Sequence, residues 1–312
     1  MEDYPKTLAE LEKRFATEDA CREYLFRLRW PNGFSCPKCR SGRMTYMPQG
    51  LYLCLDCNRK TSITQGTIFQ DSHIPLITWF RVMWYICVQK NGASALGLQR
   101  ALGFGSYRTA WLCLHKLRKA MVRPRRDCLS GTIEVDETYV GGRHEGKRGR
   151  GSEGKTIVVI AAERDGKGIG RIRLSCVPDV SGEALKPAVK EMVTSGSVII
   201  TDGWDGYNGL SKEGYSRIIE NAADIPLNEC LLPRCHRVAS LLKRWIIGTL
   251  QGSVSTEHLQ DYLNEFTFRF SKDLASKSCG RMVMAGNAER RMAVDCRGKS
   301  PGLPDVFLPA LL

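Results

Sequence analysis

Two Cys-x-x-Cys pairs, Cys36-Pro37-Lys38-Cys39 and Cys54-Leu55-Asp56-Cys57, constrain the fold of this chain more than any other feature. Fourteen residues separate them. A two-residue gap lets both sulfurs of a knuckle reach one ion, and two such pairs fill a tetrahedral zinc site. Four thiolates leave no position for water, so this metal is expected to build structure and perform no catalysis. Between the pairs, residues 44–47 and 51–53 predict a hairpin around Pro48-Gln49-Gly50. Residues 34–66 therefore read as a zinc ribbon. The other nine of the thirteen cysteines are scattered and read mostly as small buried hydrophobes. Cys235 stands beside His236 and is a further possible ligand.

The rest of the composition narrows the class. With 312 residues there is room for two or three modules and a sizeable core. Hydrophobic residues make up 43% and charged ones 25%, as in ordinary soluble globular proteins. No apolar run reaches the roughly 18–20 residues of a membrane span. The opening Met1-Glu2-Asp3-Tyr4-Pro5-Lys6 lacks the apolar stretch of a signal peptide. Cytosol or nucleoid is the expected compartment, with thiols reduced and no membrane partner. The net charge of +13 favours a polyanionic partner, because each phosphate contact releases counterions. Basic residues concentrate at 116–126 and 143–155.

Periodicity divides the chain. Residues 6–30 predict helix, with Thr7 and then Thr17 as caps. After the ribbon, 74–89 and 94–102 predict helices, followed by the turn Gly103-Phe104-Gly105 and a helix over 107–121 capped by Ser106. Helix, glycine turn, helix is a helix-turn-helix outline, with Arg108, His115, Lys116 and Lys119 on its second helix. A helical bundle with a solvated basic face fits the same pattern. Residues 124–127 read as a linker. Beyond it, strands are expected over 132–140, 156–163, 168–177, 197–201 and 216–220. Helices are expected at 181–193, briefly at 204–210, and at 234–250 and 258–270. The expected organisation is N-terminal helices over 1–33, ribbon over 34–66, helical unit over 67–126, an α/β domain over 127–272 and an irregular tail over 273–312. The order β-β-β-α-β-α-β-α is that of a ribonuclease H-like fold. It would place the first and fourth strands side by side.

That adjacency matters because of what the strands carry. Asp136 sits within the first, and Asp202 closes the fourth. His236 and Lys243 lie seven residues apart in the 234–250 helix, on roughly one face. Two acidic residues at strand ends, plus a third ligand on a helix, can hold two divalent ions for phosphodiester chemistry. Mg²⁺, or Mn²⁺, suits the oxygen ligands, whereas imidazole prefers softer ions. The acidic alternatives for the third place are Glu229, Glu220 and Glu137. Plainer readings exist for each residue. A carboxylate inside an apolar strand is costly unless paired, so Asp136 resists one. Asp202-Gly203 can be a simple turn. His236 can bond within the core or merely touch DNA, and Lys243 can be a solvated lysine.

These segments resemble the bacterial insertion-sequence transposases that join a zinc ribbon to an ISXO-like DDE domain. The likeness is carried by the Cys quartet and by Glu134-Val135-Asp136-Glu137-Thr138-Tyr139-Val140-Gly141-Gly142. It continues through Thr201-Asp202-Gly203-Trp204-x-Gly206-Tyr207, His236-x-x-x-Ser240-Leu241-Leu242-Lys243-Arg244-Trp245, and His258-Leu259-x-x-Tyr262-Leu263-x-Glu265-Phe266-x-Phe268-Arg269. It spans about residues 15–270. It implies a ribonuclease H-like core and Mg²⁺-dependent cleavage and joining of double-stranded DNA at terminal inverted repeats, usually by multimers on paired ends. The family's acidic pair falls on Asp136 and Asp202, its third catalytic position on His236 and its downstream lysine on Lys243. Relatives usually continue Asn-Arg-Arg where this chain has Ser271-Lys272-Asp273. A non-catalytic DNA-binding copy, or a nuclease that does not join, are the competing expectations.

Overall fold

The structure, a computed structural model, describes residues 5, 7–89, 91–121, 128–141, 155–221, 223, 230–252 and 254–270. The linker at 124–127, most of the basic stretch at 143–155, Glu229 and the tail lie outside the described residues.

The N-terminal segment forms two helices, α1 (Leu8–Arg14) and α2 (Glu18–Arg29), each following one of the two expected threonine caps. Thr17 starts the second afresh by accepting a hydrogen bond from the Ala20 amide, and Thr7 closes a capping box with Glu10. The ribbon follows as an antiparallel sheet of β1 (Met44–Tyr46), β2 (Leu51–Cys54) and β3 (Lys60–Ser62). Next come α3 (Leu76–Val88), α4 (Ala95–Leu102) and α5 (Tyr107–Met121). Pro75 precedes α3 without a side-chain cap, and the Glu18 carboxylate supplies one from α2, accepting from the Leu76 and Ile77 amides at 3.0 Å. Helix α4 ends on Gly103, whose φ of 69° closes the turn into α5. One core joins all these parts: Phe15, Tyr24 and Phe80 pack together, and Phe26, Trp30 and Phe34 clasp Tyr52 of the ribbon.

The second half is a five-stranded sheet of β4 (Thr132–Val140), β5 (Thr156–Asp165), β6 (Gly168–Val177), β7 (Val198–Thr201) and β8 (Ser216–Ile219). Its order is β6-β5-β4-β7-β8. The first three strands are antiparallel, while β4, β7 and β8 run parallel. The first and fourth strands of the domain are neighbours, as expected. Alternate residues feed two cores. Ile133, Val135, Val159 and Ile199 face α6 (Gly182–Met192), whereas Val158, Ile160, Ala162 and Ile200 face α7 (Pro233–Leu250) and α8 (Leu259–Phe270). Burial on both faces explains the unbroken apolar run Val158-Val159-Ile160-Ala161-Ala162. The short helix expected over 204–210 is instead two 3₁₀ turns, Asp205–Tyr207 and Leu210–Glu213. Gly209, at a φ of 89°, breaks the helical path between them.

Helix α8 bridges the halves. It packs against β6 on one side and α5 on the other, and its Phe268 belongs to the N-terminal core. The α5 surface carrying His115 and Arg118 is therefore buried. His115, expected on a DNA-facing helix, instead faces Asp261, with Nδ1 2.7 Å from the carboxylate. Lys116 donates to the Gln70 carbonyl, and only Arg108 and Lys119 of the four expected residues are exposed.

Candidate active site

Strands β4 and β7 pair from Thr132 and Val198 as far as Glu134 and Ile200. Two residues beyond that last pair stand Asp136 and Asp202. Both carboxylates thus leave neighbouring parallel strands at the same level, on the face that α7 covers. From α7, His236 brings its Nε2 to 3.4 Å from Asp136 Oδ2. The Cys230 thiol lies 3.0 Å from the other ring nitrogen, Nδ1. Lys243 is exposed two turns further along. Its ammonium is held below the usual lysine range by partial burial and by Lys155, with Asp136 acting in the opposite direction.

The electrostatics concentrate on Asp136. Burial, chiefly, and then the neighbouring Glu137 raise its carboxyl to about 6; Asp202 adds a smaller repulsion and His236 works against the rise. The Glu137 amide donates to Asp136 Oδ1 at 2.9 Å. A desolvated carboxylate facing like charges is a place where a divalent cation relieves repulsion, so these residues suit a hard metal ion. Asp202 Oδ1 accepts from the Trp204 amide at 3.1 Å in a side-chain turn. Gly206 leaves room for that turn: a Cβ there would lie 2.6 Å from the Val180 carbonyl and 2.7 Å from the Trp204 indole nitrogen.

The other acidic candidates are engaged elsewhere. Glu137 points to the α6 face and accepts from the Tyr207 hydroxyl at 3.0 Å. Glu220 pairs with Arg164 at 2.7 Å. Cys235 is fully buried and donates to the Ile160 carbonyl; burial holds its thiol far above the usual range.

Five supporting residues escaped the sequence reading. Glu134 is wholly buried and accepts from the Arg234 amide at 2.8 Å and the Cys235 amide at 3.3 Å, which caps α7 from within the sheet. Arg234 and Arg164 complete its shell at 2.9 and 3.1 Å. The cost of a carboxylate in an apolar strand applied to Glu134 as much as to Asp136, and was the available signal. Arg217 of β8 donates to the carbonyls of Asp202 and Trp204, at 3.1 and 3.2 Å, and steadies the loop that carries Asp202. Cys230, at the ring of His236, had no sequence signal.

At the ribbon, Cys36 and Cys57 sulfurs are 3.5 Å apart, as are Cys39 and Cys54, and all four lie within 4.8 Å of one another. Zn–S bonds of about 2.3 Å give a tetrahedral S···S edge of about 3.8 Å, so the set suits zinc. His115, His258 and Asp261 also converge. Both ring nitrogens of His115 already have protein partners, Asp261 and Arg118, so this cluster reads as a structural joint.

The molecule is thus a zinc-ribbon protein whose α/β domain brings together two carboxylates from adjacent parallel strands: Asp202 just past the end of β7 and Asp136, expected at a strand end, at the middle of the longer β4. Residues 16–60 match the family described as transposase zinc-ribbon domain, and residues 128–271 match the ISXO2-like transposase domain. A Halobacterium salinarum protein described as an uncharacterized protein in transposable element ISH50 is 26% identical over 279 residues, which cover 82% of this chain and 92% of its own length. The chain thus joins a transposase zinc ribbon to an ISXO2-like transposase domain and is similar along most of its length to a protein of an insertion-sequence element.

Proposed function

We propose that this transposase cleaves and joins double-stranded DNA at the terminal inverted repeats of its element by two-metal-ion phosphoryl transfer. Asp136, Asp202 and His236 are the metal ligands, and Lys243 contacts a phosphate. The observation that carries this reading is the register of β4 and β7, which levels Asp136 with Asp202 beneath His236. The strand order, with an antiparallel second strand and parallel first, fourth and fifth strands, supports a ribonuclease H-like core. Bound Mg²⁺ or Mn²⁺ would supply activation of the attacking oxygen and stabilisation of the leaving one. Asp136, central to the set, would hold the ions together with Asp202, which stands on a loop that Arg217 steadies. His236 closes the set from the helix, its ring fixed by Cys230. The enzyme acts on paired ends as a homo-oligomer.

Strand transfer on a labelled DNA end of the element, with Mg²⁺ or Mn²⁺, tests the assignment. Activity should disappear in both Asp202→Ala and His236→Ala. Activity surviving in His236→Ala would remove the histidine from the ligand set. Nicking without joining in the wild type would make the protein a nuclease, and end binding without either would make it a regulatory copy.

A further inference from the structure

Helix α7 turns one side to the sheet and the other outward. Cys235, Val238, Leu242 and Ile246 are buried against the sheet. His236, Arg237, Ser240, Lys243, Arg244 and Ile247 are exposed. At about 100° per residue, these six fall in an arc of roughly 120°. The arc holds two neighbouring rows. One is His236 with Lys243, which leads from Asp136. The other is Arg237 with Arg244, with Ser240 between the rows. Every polar side chain in the arc can donate a hydrogen bond, and Pro233–Leu250 contains no carboxylate at all. Arg237 and Arg244 make no ion pair among the described residues, although most other arginines of this domain do: Arg164, Arg171 and Arg234 are all paired to glutamates. Glu134 of β4 supplies the negative charge at the start of α7, so the helix's own outward face is free of acidic residues.

We propose that this outer face of α7 is a phosphate track that lays a DNA strand toward Asp136, with Arg237 and Arg244 as contacts outside the catalytic set. The two guanidinium-bearing positions are seven residues apart, about 10.5 Å along the helix, or roughly three nucleotide steps at 3.4 Å each. A polyanion with regular charge spacing matches that arrangement, and the row runs alongside the residues that would handle the scissile phosphate. The proposal takes its partner from the transposase reading, but its test does not depend on catalysis.

The test is the salt dependence of binding to a fluorescein-labelled duplex of arbitrary sequence, measured by anisotropy in an Asp136→Ala background. Each lost phosphate contact should lower the slope of log K against log salt by about 0.9. Arg237→Ala/Arg244→Ala should therefore lower it by about 1.8, while Arg237→Lys/Arg244→Lys keeps it. A control pair of exposed lysines in other turns, Lys167→Ala/Lys212→Ala, should leave it unchanged. An unchanged slope in the double alanine variant overturns the track, as does an equal fall in the control pair or the absence of salt-dependent binding in the parent. Zinc content and melting temperature, equal across the set, exclude misfolding. Inactivity of the wild type in strand transfer would remove the catalytic reading and leave this result standing.

Discussion

Asp136 is the residue at which stability and chemistry pull apart. Its carboxyl, raised to about 6, sits above the unfolded value, so the native chain binds the proton more tightly than the unfolded one. Its contribution to stability is therefore fully present below about pH 4 and declines as pH rises through 6. In chelator at pH 8, Asp136→Asn should stabilise the protein by about 2–3 kcal/mol, the free energy of a two-unit shift. The same change should abolish cleavage and remove any stabilisation by Mn²⁺. Thermal melts with chelator and with Mn²⁺ read both effects. A variant that melts below the wild type in chelator would show that this carboxylate is not strained.

At the level of single elements, α7 depends on a cap that lies a hundred residues away in sequence. One oxygen of Glu134, Oε2, accepts from two amides of the helix's first turn, while Oε1 meets Arg234 and Arg164. Glu134→Ala leaves those guanidinium groups without their buried partner, and should cost about 3–5 kcal/mol in chemical denaturation. Glu134→Gln keeps an acceptor for the amides and should cost less. Equal losses in the two would place the whole effect in the charge. The ribbon depends on its metal. Its three strands are three, four and three residues long, too short to stand without a cross-link. Chelation should unfold it and alter Trp30 fluorescence through the lost Tyr52 contact, while residues 128–270 keep their secondary structure. Loss of far-ultraviolet signal across the whole chain would contradict that independence.

Across the whole molecule, the contact between α5 and α8 couples the N-terminal half to the sheet that carries Asp136. Arg118 and Glu265, both almost wholly buried, meet at 2.7 Å, and Arg269 holds the other side of Glu265. Burial keeps the His115 imidazole below its usual range, although Asp261 opposes the shift. The folded value lies below the unfolded one, so this contribution is full above about pH 6.5 and is lost as pH falls through it. Acid should therefore loosen the joint first. Proteolysis between the halves should accelerate below pH 6.5 in the wild type and lose that dependence in His115→Gln.

Local spacing was enough for much of this protein. The Cys-x-x-Cys pairs specified the ribbon, Thr7 and Thr17 marked helix starts, and apolar runs marked strands whose order predicts the neighbouring carboxylates. Each depends on a few consecutive residues, where backbone geometry leaves small freedom. Other features depend on which elements meet. His115 looked like a DNA contact because its helix is basic, and only the docking of α8 shows it paired with a residue 146 positions away. Glu134 looked like a motif letter until α7 placed two amides over it, and Glu137, adjacent to Asp136, is held on the opposite face by the Tyr207 hydroxyl 70 residues away. Partners so distant in sequence are chosen by packing whole faces together, and that choice is made by the tertiary structure alone.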